Sequence, residues 1–519
     1  MSSTDTILEE DRDHELVVTF FPPLYLQRKI WVLDVLRRDG FDSVVEIGCG
    51  EGELASALVQ PAPWLSPPPF DIVPPMPEED PLMSPTRPNF NSSREPIPNL
   101  HVIRLDCLDI DANSLQVAKN GTAPPQLNEY ENRWTIPQTR WEALTVKLWK
   151  GDLQAINEEF VDRECIVSAE VIEHLPPDVL PMYAPMLLGV YHPYKFLVTT
   201  PSYTFNARYT TPNALPGVRK GFPDPTGRTN RVFRHSDHKF EWTVDEFEYW
   251  CRAAAVQWGY RVETSGVGHA EQADPYGREA ELGAASLVAE FTRLDIGEGK
   301  RSKLAAEARA FVADAQLKVP AHELFGHHEH IAHPQARQPK PFKEIGDCVQ
   351  EYMESRRDTF SRFSEVWWDR EIAAMCGGWT EVLLAAIEQH DKLDIILQRE
   401  GEGQDRDWMI VLVGGLSQPV PEEADTDEDS SDMIPPDWMP QEEDYSESGD
   451  EDDTGDVEWE GSEDVSENEY VWHEEDSSSG WGITENGWGV DDGECQKASP
   501  WDDITNKEVA EGFQKASVA

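Results

Sequence analysis

Between residues 43 and 293, short apolar runs alternate with helix-periodic stretches; the runs include SVVEI, HVIRLDCLDID, LTVKLWK, ECIVSA, KFLVTT and ASLVAEFTRL. Strands separated by helices join as parallel crossovers, and the helices must then cover both faces of the sheet. The fold class is therefore α/β, with a parallel-rich sheet. The pattern sets the expected organisation: a disordered leader over 1–14 and one domain over 15–295. Proline-dense sequence over about 59–99 and a polar stretch over about 121–142 interrupt that domain as insertions. Residues 296–415 predict a mainly helical extension.

The chain of 519 residues carries a formal net charge of −55, and the charge is unevenly spread. Residues 416–519 hold 34 acidic side chains against three lysines, too much charge and too little aliphatic surface to form a core. That segment is expected to be a disordered tail. The rest is still acidic, so any nucleic-acid contact must come from a local basic patch. Seven scattered cysteines without a CxxC pair argue for reduced thiols, neither a disulfide framework nor a zinc site. The start, MSSTDTILEEDRDHEL, lacks an apolar signal core, and no run reaches the roughly 20 apolar residues a membrane helix needs. A soluble cytoplasmic or nuclear protein with no membrane partner is expected, and a monomer.

EIGCGEG follows the β-branched pair Val44–Val45 and opens a helix. Gly48 and Gly50 let the backbone approach a ligand, so Glu46, Gly48, Gly50 and Gly52 form the candidate cofactor loop. At the end of the next strand, LDID presents Asp109 for a ribose diol, with Asp106 and Asp111 as competitors. KGDL then puts Asp152 at a third strand tip, where an adenine amino group would lie. This series resembles class I S-adenosylmethionine-dependent methyltransferases, which implies a Rossmann-like sheet and S-adenosyl-L-methionine as methyl donor.

In SAEVIEHLPPDVL, Glu170, Glu173 and His174 follow the apolar run CIV. If a helix begins there, the spacing i, i+3, i+4 puts all three on one face, where like charges need a cation between them. Carboxylates with one or two imidazoles suit Mg²⁺ or Mn²⁺ better than structural Zn²⁺. FRHSDHKFEWT offers a second imidazole, His238, with His235 as competitor.

Together FFPPLYLQRK, EVIEH, TTPSYTFN and FRHSDHKFEWT resemble the small-RNA 2′-O-methyltransferases of the Hua-enhancer type, over roughly residues 19–295. The resemblance implies methylation of the 3′-terminal ribose of a small RNA. It further implies Glu170, Glu173, His174 and His238 as metal ligands, with Asp109 and Asp152 at the ribose and adenine positions. A divalent ion chelated by the 2′- and 3′-hydroxyls would activate the nucleophile and require a free terminal diol. Glu173 and His174 are then the expected catalytic residues. One imidazole, His174 or His238, is expected to take the 2′-OH proton, and His174 is preferred because neighbouring carboxylates would raise its pKa. Tyr25, Arg28, Arg231 and Arg234 are the expected RNA contacts, with Lys29, Arg219, Lys220 and Arg228 also near.

Two other stretches stand out. HELFGHHEH reads as a loop with incidental histidines. The tail carries Trp481 and Trp488 in the GWG units of SSSGWGITENGWGVDD, which look like Gly-Trp hooks for an Argonaute partner. Competing readings are a methyltransferase for a small molecule or protein, indifferent to metal and RNA ends, and a non-enzymatic Argonaute-binding adaptor acting through the tail.

Overall fold

Alternation along each strand decides which side of the sheet a residue serves. In β1 (Ser43–Ile47), Val45 and Ile47 enter one buried cluster and Val44 the other. The same division separates Leu108 from Leu105 and Cys107 in β2 (Arg104–Asp109). β3 (Leu144–Lys150) sends Val146 and Leu148 to the second cluster. Both faces of β4 (Cys165–Ala169) and β5 (Lys195–Pro201) are buried, Ile166 and Phe196 on one side, Val167 and Leu197 on the other. Burial on two faces explains why these strands read as continuous apolar runs.

The computed structural model describes residues 14–73, 99–125, 138–398 (216 excepted) and 407–416. The expected leader over 1–13, the middles of both insertions and the tail from 417 lie outside the described residues. After the two-residue strands β6 (Phe222–Pro223) and β7 (Val232–Phe233) come β8 (Tyr260–Val267), β9 (Ser286–Arg293) and β10 (Glu323–His330). The large sheet has the order β10-β3-β2-β1-β4-β5-β9-β8. β3, β2, β1, β4 and β5 run parallel, and β9, β8 and β10 are antiparallel to their neighbours. This is the Rossmann-like class I methyltransferase sheet expected from the sequence. Its order reverses at β1, which lies between β2 and β4, so the loops leaving β1 and β4 diverge and open a crevice.

The HELFGHHEH stretch is a strand, not the expected loop. β10 pairs with β3 from Glu323↔Lys150 to His330↔Leu144, closing an otherwise open edge. His328 and His330 bond the carbonyls of Lys119 and Thr122, each at 2.9 Å. The histidines are thus spent on fastening the strand.

Beyond β9, the extension contains the helices Glu298–Gln316, Phe342–Arg356 and Thr380–Glu388, and a three-stranded sheet of β11 (Phe360–Arg362), β12 (Leu393–Gln398) and β13 (Asp407–Leu412) in the order β11-β13-β12. Together with Trp141 it grips the start of the proline-rich insertion. The indole N–H groups of Trp141 and Trp367 donate to the Pro63 carbonyl at 3.2 and 3.3 Å, and that of Trp379 to Ser66 O at 3.0 Å. Leu65, buried between them, donates its N–H to Gly378 O at 2.8 Å. A proline carbonyl has no N–H beside it to share in a ladder, so indole donors are apt partners. The cysteines at 49, 107, 165, 251, 348 and 376 are free thiols. Among the described residues no helix is long and apolar enough to cross a membrane.

Candidate active site and metal centre

The loop after β1 forms the first wall of the crevice. Gly48 has φ 73°, and a Cβ there would stand 2.4 Å from a Val171 methyl, so only glycine lets this loop lie against the loop after β4. Gly50 also has positive φ, but its missing Cβ would face open space, the kind of cradle a ligand fills. Gly52 caps the helix Glu53–Leu58.

Asp109, at the end of β2, accepts from Gly50 N at 2.8 Å and from Asp111 N at 2.9 Å. Asp111 instead caps the next helix through Ser114 N, and Asp106 is fully buried against Arg104 and Trp149, which removes both competitors. Burial pushes the Asp109 carboxyl up, against the N–H groups that pull it down. Asp152 accepts from Gln154 N at 2.8 Å, while its carbonyl receives His322 Nε2 from the extension at 2.9 Å.

Glu46 is buried in β1, and its Oε2 has no hydrogen-bond partner. Burial, then the Asp109 charge, push its pKa from 4.5 up to about 8. An orphaned buried carboxylate beside a glycine cradle fits a cationic ligand such as the ammonium of an amino-acid moiety. Because the folded pKa exceeds the unfolded one, the fold loses stability as pH rises from about 4.5 towards about 8. At pH 7 the cost is roughly 3 kcal/mol. Glu46→Gln is therefore expected to flatten the fall in melting temperature between pH 5 and 8. The same variant should bind S-adenosylhomocysteine more weakly by calorimetry; unchanged affinity would remove Glu46 from the site.

The loop after β4 forms the second wall, and it is not the helix that the spacing suggested. Glu170 has φ 55°, a left-handed conformation costly for a residue with a Cβ, and Ile172–His174 make one 3₁₀ turn before Pro176–Pro177. A residue before proline is pushed out of the helical region, so Leu175 is extended. This turn separates the acids that a helix would have aligned. Glu173, His174 and His238 each offer a ligand atom, all within 4.8 Å of one another. Glu170 stands outside that cluster: its carboxylate takes the Thr199 hydroxyl at 2.8 Å and Arg28 at 3.2 Å. Three of the four expected ligands therefore come together, and the fourth is turned away by a cation and a hydroxyl.

Glu173 is completely buried. Thr200 Oγ1 donates to its Oε2 at 3.0 Å, while Oε1 has no partner. Burial, then the Glu170 charge, push its pKa well above the carboxylate range. Burial also lowers His174, to about 4, with His238 adding to the effect. The expected rise in the His174 pKa is thereby corrected: desolvation and a second imidazole outweigh the acids. His238 Nδ1 lies 2.8 Å from Glu241 Oε1. A carboxylate only accepts, so Nδ1 carries the proton and Nε2 presents its lone pair. Burial pushes Glu241 up, but the His238 hydrogen bond and Arg234 hold it below its ordinary value. Asn206 Nδ2 and Arg234 N complete its shell at 2.5 and 2.6 Å. His235 lies outside the cluster, its ring centre 5.6 Å from that of His238.

An unpartnered carboxylate oxygen, the His238 Nε2 lone pair and a His174 ring nitrogen close together fit a divalent cation. The supporting residues Thr199, Thr200 and Asn206 lie in TTPSYTFN and Glu241 in FRHSDHKFEWT, stretches that carry the resemblance, but the sequence assigned none of them a role.

The expected RNA contacts are placed as follows. Tyr25 is 43% exposed with Lys29 5.6 Å from its ring centre. Arg28 bonds Glu170 and, at 3.3 Å, Ser286 Oγ. Arg231 is bidentate to Glu246 at 2.8 Å, and Arg234 donates to Ala285 O at 2.8 Å. These three guanidinium groups therefore have internal partners.

No family model matches the chain. It is 27% identical over 289 residues to the small RNA 2′-O-methyltransferase of Drosophila melanogaster, covering 55% of this chain and 58% of that protein. Identity to the Xenopus tropicalis small RNA 2′-O-methyltransferase is 31% over 201 residues, 37% of this chain and 46% of that one. The Arabidopsis thaliana enzyme of the same name is 26% identical over 282 residues, 53% and 23% of the two chains. The chain spans about half the length of the first of these relatives. Among solved structures, the methyltransferase domain of a bacterial Hen1 aligns with 52% of this chain and 99% of its own at 22% identity and a TM-score of 0.32. The small RNA methyltransferase HEN1 aligns over 61% of this chain and 29% of its own, at 21% identity and 0.36. The resemblance carried by EVIEH and HKFEW thus extends across the matched half of the chain, which is similar in sequence to the small RNA 2′-O-methyltransferases of insects, vertebrates and plants.

Proposed function

We propose that this protein transfers a methyl group from S-adenosyl-L-methionine to the 2′-hydroxyl of the 3′-terminal nucleotide of a small RNA. The observation that carries the reading is the Glu173–His174–His238 cluster on and beside the loop after β4, against which the glycine loop packs at Val171. Mg²⁺ or Mn²⁺ at that cluster would supply Lewis acidity to the terminal 2′- and 3′-hydroxyls. The methyl donor would supply an electrophilic sulfonium methyl.

The chain's own residues prepare the site. Thr200 fixes one Glu173 oxygen and leaves the other free, and Glu241 fixes the tautomer of His238. His174, neutral above about pH 4, serves as a lone-pair donor and is too weak a base to be assigned the 2′-OH proton. Glu46 and Asp109, at and beside the glycine loop, would receive the donor's ammonium and ribose. Closing a dry site around these groups favours positioning over acid–base work.

Transfer of a labelled methyl group to a short RNA tests the reading. Transfer is expected to a 2′,3′-diol end, to be absent with 3′-phosphate or 2′-deoxy ends, and to vanish with chelator. Transfer that ignores both the diol and the chelator would sink the metal reading and favour another acceptor.

The Gly-Trp units of the tail lie outside the described residues, and their docking on Argonaute is proposed from sequence alone. Pull-down by residues 420–519 should be lost in the double substitution Trp481→Ala/Trp488→Ala; retained capture would refute it.

A further inference from the structure

The segment between β5 and the helix Val244–Trp258 carries most of the basic residues near the metal cluster, and the structure separates their roles. Arg231 belongs to Glu246, and Arg234 to the carbonyl of Ala285. Arg228 Nε bonds Thr226 Oγ1 at 3.0 Å. Arg234 Nε is buried without a partner, but its Nη2 is held, whereas Arg219 makes no hydrogen bond or ion pair through its guanidinium among the described residues. Its guanidinium carbon lies 5.9 Å from the centre of the Tyr203 ring, which Arg231 approaches at 4.7 Å. No carboxylate among the described residues pairs with it, and its Nη2 is buried without an acceptor. A guanidinium partly withdrawn from water and left without an acceptor is costly unless an anion arrives to meet it.

Its position says which anion. Arg219 shares the Tyr203 ring with Arg231, and Arg231 Nη1 donates to the backbone carbonyl of Glu241 at 2.9 Å. Glu241 is the carboxylate that holds His238. Tyr203, under the guanidinium, is tied through its N–H to Trp242 O at 2.8 Å, next to Glu241. If a terminal ribose sits at the metal cluster, its 5′-phosphate leaves one carbon away from the ring. A planar fork of donors is suited to phosphate oxygens, and the exposed side of the cation–aromatic pair to a base.

We propose that Arg219, braced on Tyr203, binds the phosphodiester joining the last two nucleotides of the RNA. The assignment rests on the functional reading above and names its backbone contact.

The test compares two short RNAs with free 2′,3′-diol ends, one with a phosphodiester and one with an uncharged methylphosphonate at the last linkage. Their affinities for the full chain are measured by fluorescence anisotropy with S-adenosylhomocysteine and Mn²⁺ present. The wild type should bind the methylphosphonate RNA about tenfold less tightly. Arg219→Ala should lose about tenfold with the phosphodiester and nothing further with the methylphosphonate. Its salt dependence should fall by about 0.7 in log–log slope, while Arg219→Lys keeps that slope. Losses that multiply in Arg219→Ala, or the same coupling in Arg228→Ala, would overturn the assignment. A wild type that binds S-adenosylhomocysteine but neither binds nor methylates diol-ended RNA would instead overturn the functional reading itself. Thermal melting of each variant separates loss of contact from loss of fold, and Arg219→Lys keeps the test decisive if the alanine variant is unfolded.

Discussion

Glu173→Gln is expected to lower methyl transfer by about a thousandfold or more, a larger effect than loss of one transition-state hydrogen-bond donor. The amide still fills the buried space and still accepts from Thr200, so the fold should survive. What is lost is the unpartnered Oε1 that completes the three-residue cluster and that a bound cation would hold ionised. The sign of the pKa shift sharpens the expectation. The folded pKa of Glu173 is raised above its unfolded value, so ionising it costs stability as pH rises above 4.5. Without metal, the variant should therefore melt at or above the wild-type temperature at neutral pH. Adding Mn²⁺ should raise the wild-type melting temperature and leave the variant unmoved. Glu241→Gln should act one step removed, weakening metal affinity by about 10–100-fold through His238. Titration calorimetry with Mn²⁺ measures both. Undiminished methyl transfer by Glu173→Gln would remove the metal centre from the mechanism.

The second large effect concerns the extension. Trp379→Ala is expected to cost about 3–5 kcal/mol, because it empties a buried aromatic site and frees the Ser66 carbonyl. Trp379→Phe, which keeps most of the ring but not the N–H, should cost nearer 1 kcal/mol. Urea denaturation gives both numbers. The extension and the glycine-loop domain are expected to unfold together, since Trp141 from the domain and Trp367 from the extension both donate to the Pro63 carbonyl. A Trp379→Ala protein with wild-type stability would mean that the clasp contributes nothing.

What was legible in the sequence was local. The glycines after β1 and the acids at strand ends announce themselves because a tight turn and a strand tip each involve only neighbouring residues. His238 was preferred over His235 because it lies between two charged residues and before the aromatic FEW; its bond to Glu241, three residues on, came from the structure. Other features hang on distant partners. Glu170 looked like a ligand by spacing, but Arg28 and Thr199 hold it away from the cluster. HELFGHHEH has loop composition, and it becomes a strand only because β3 presents an open edge.

Periodicity in the sequence by itself determined the α/β class and a short motif the glycine loop, while the resemblance of EVIEH and HKFEW pointed to Glu173, His174 and His238, which the fold brings together. The tertiary structure alone decided the protonation of the site and its membership. Burial is the largest cause of the raised pKa values of Glu46 and Glu173, where nearby carboxylates push the same way, and it lowers that of His174 against the rise expected from neighbouring acids. Desolvation depends on everything packed around a group, and packing of that kind is assembled from residues far apart in the chain.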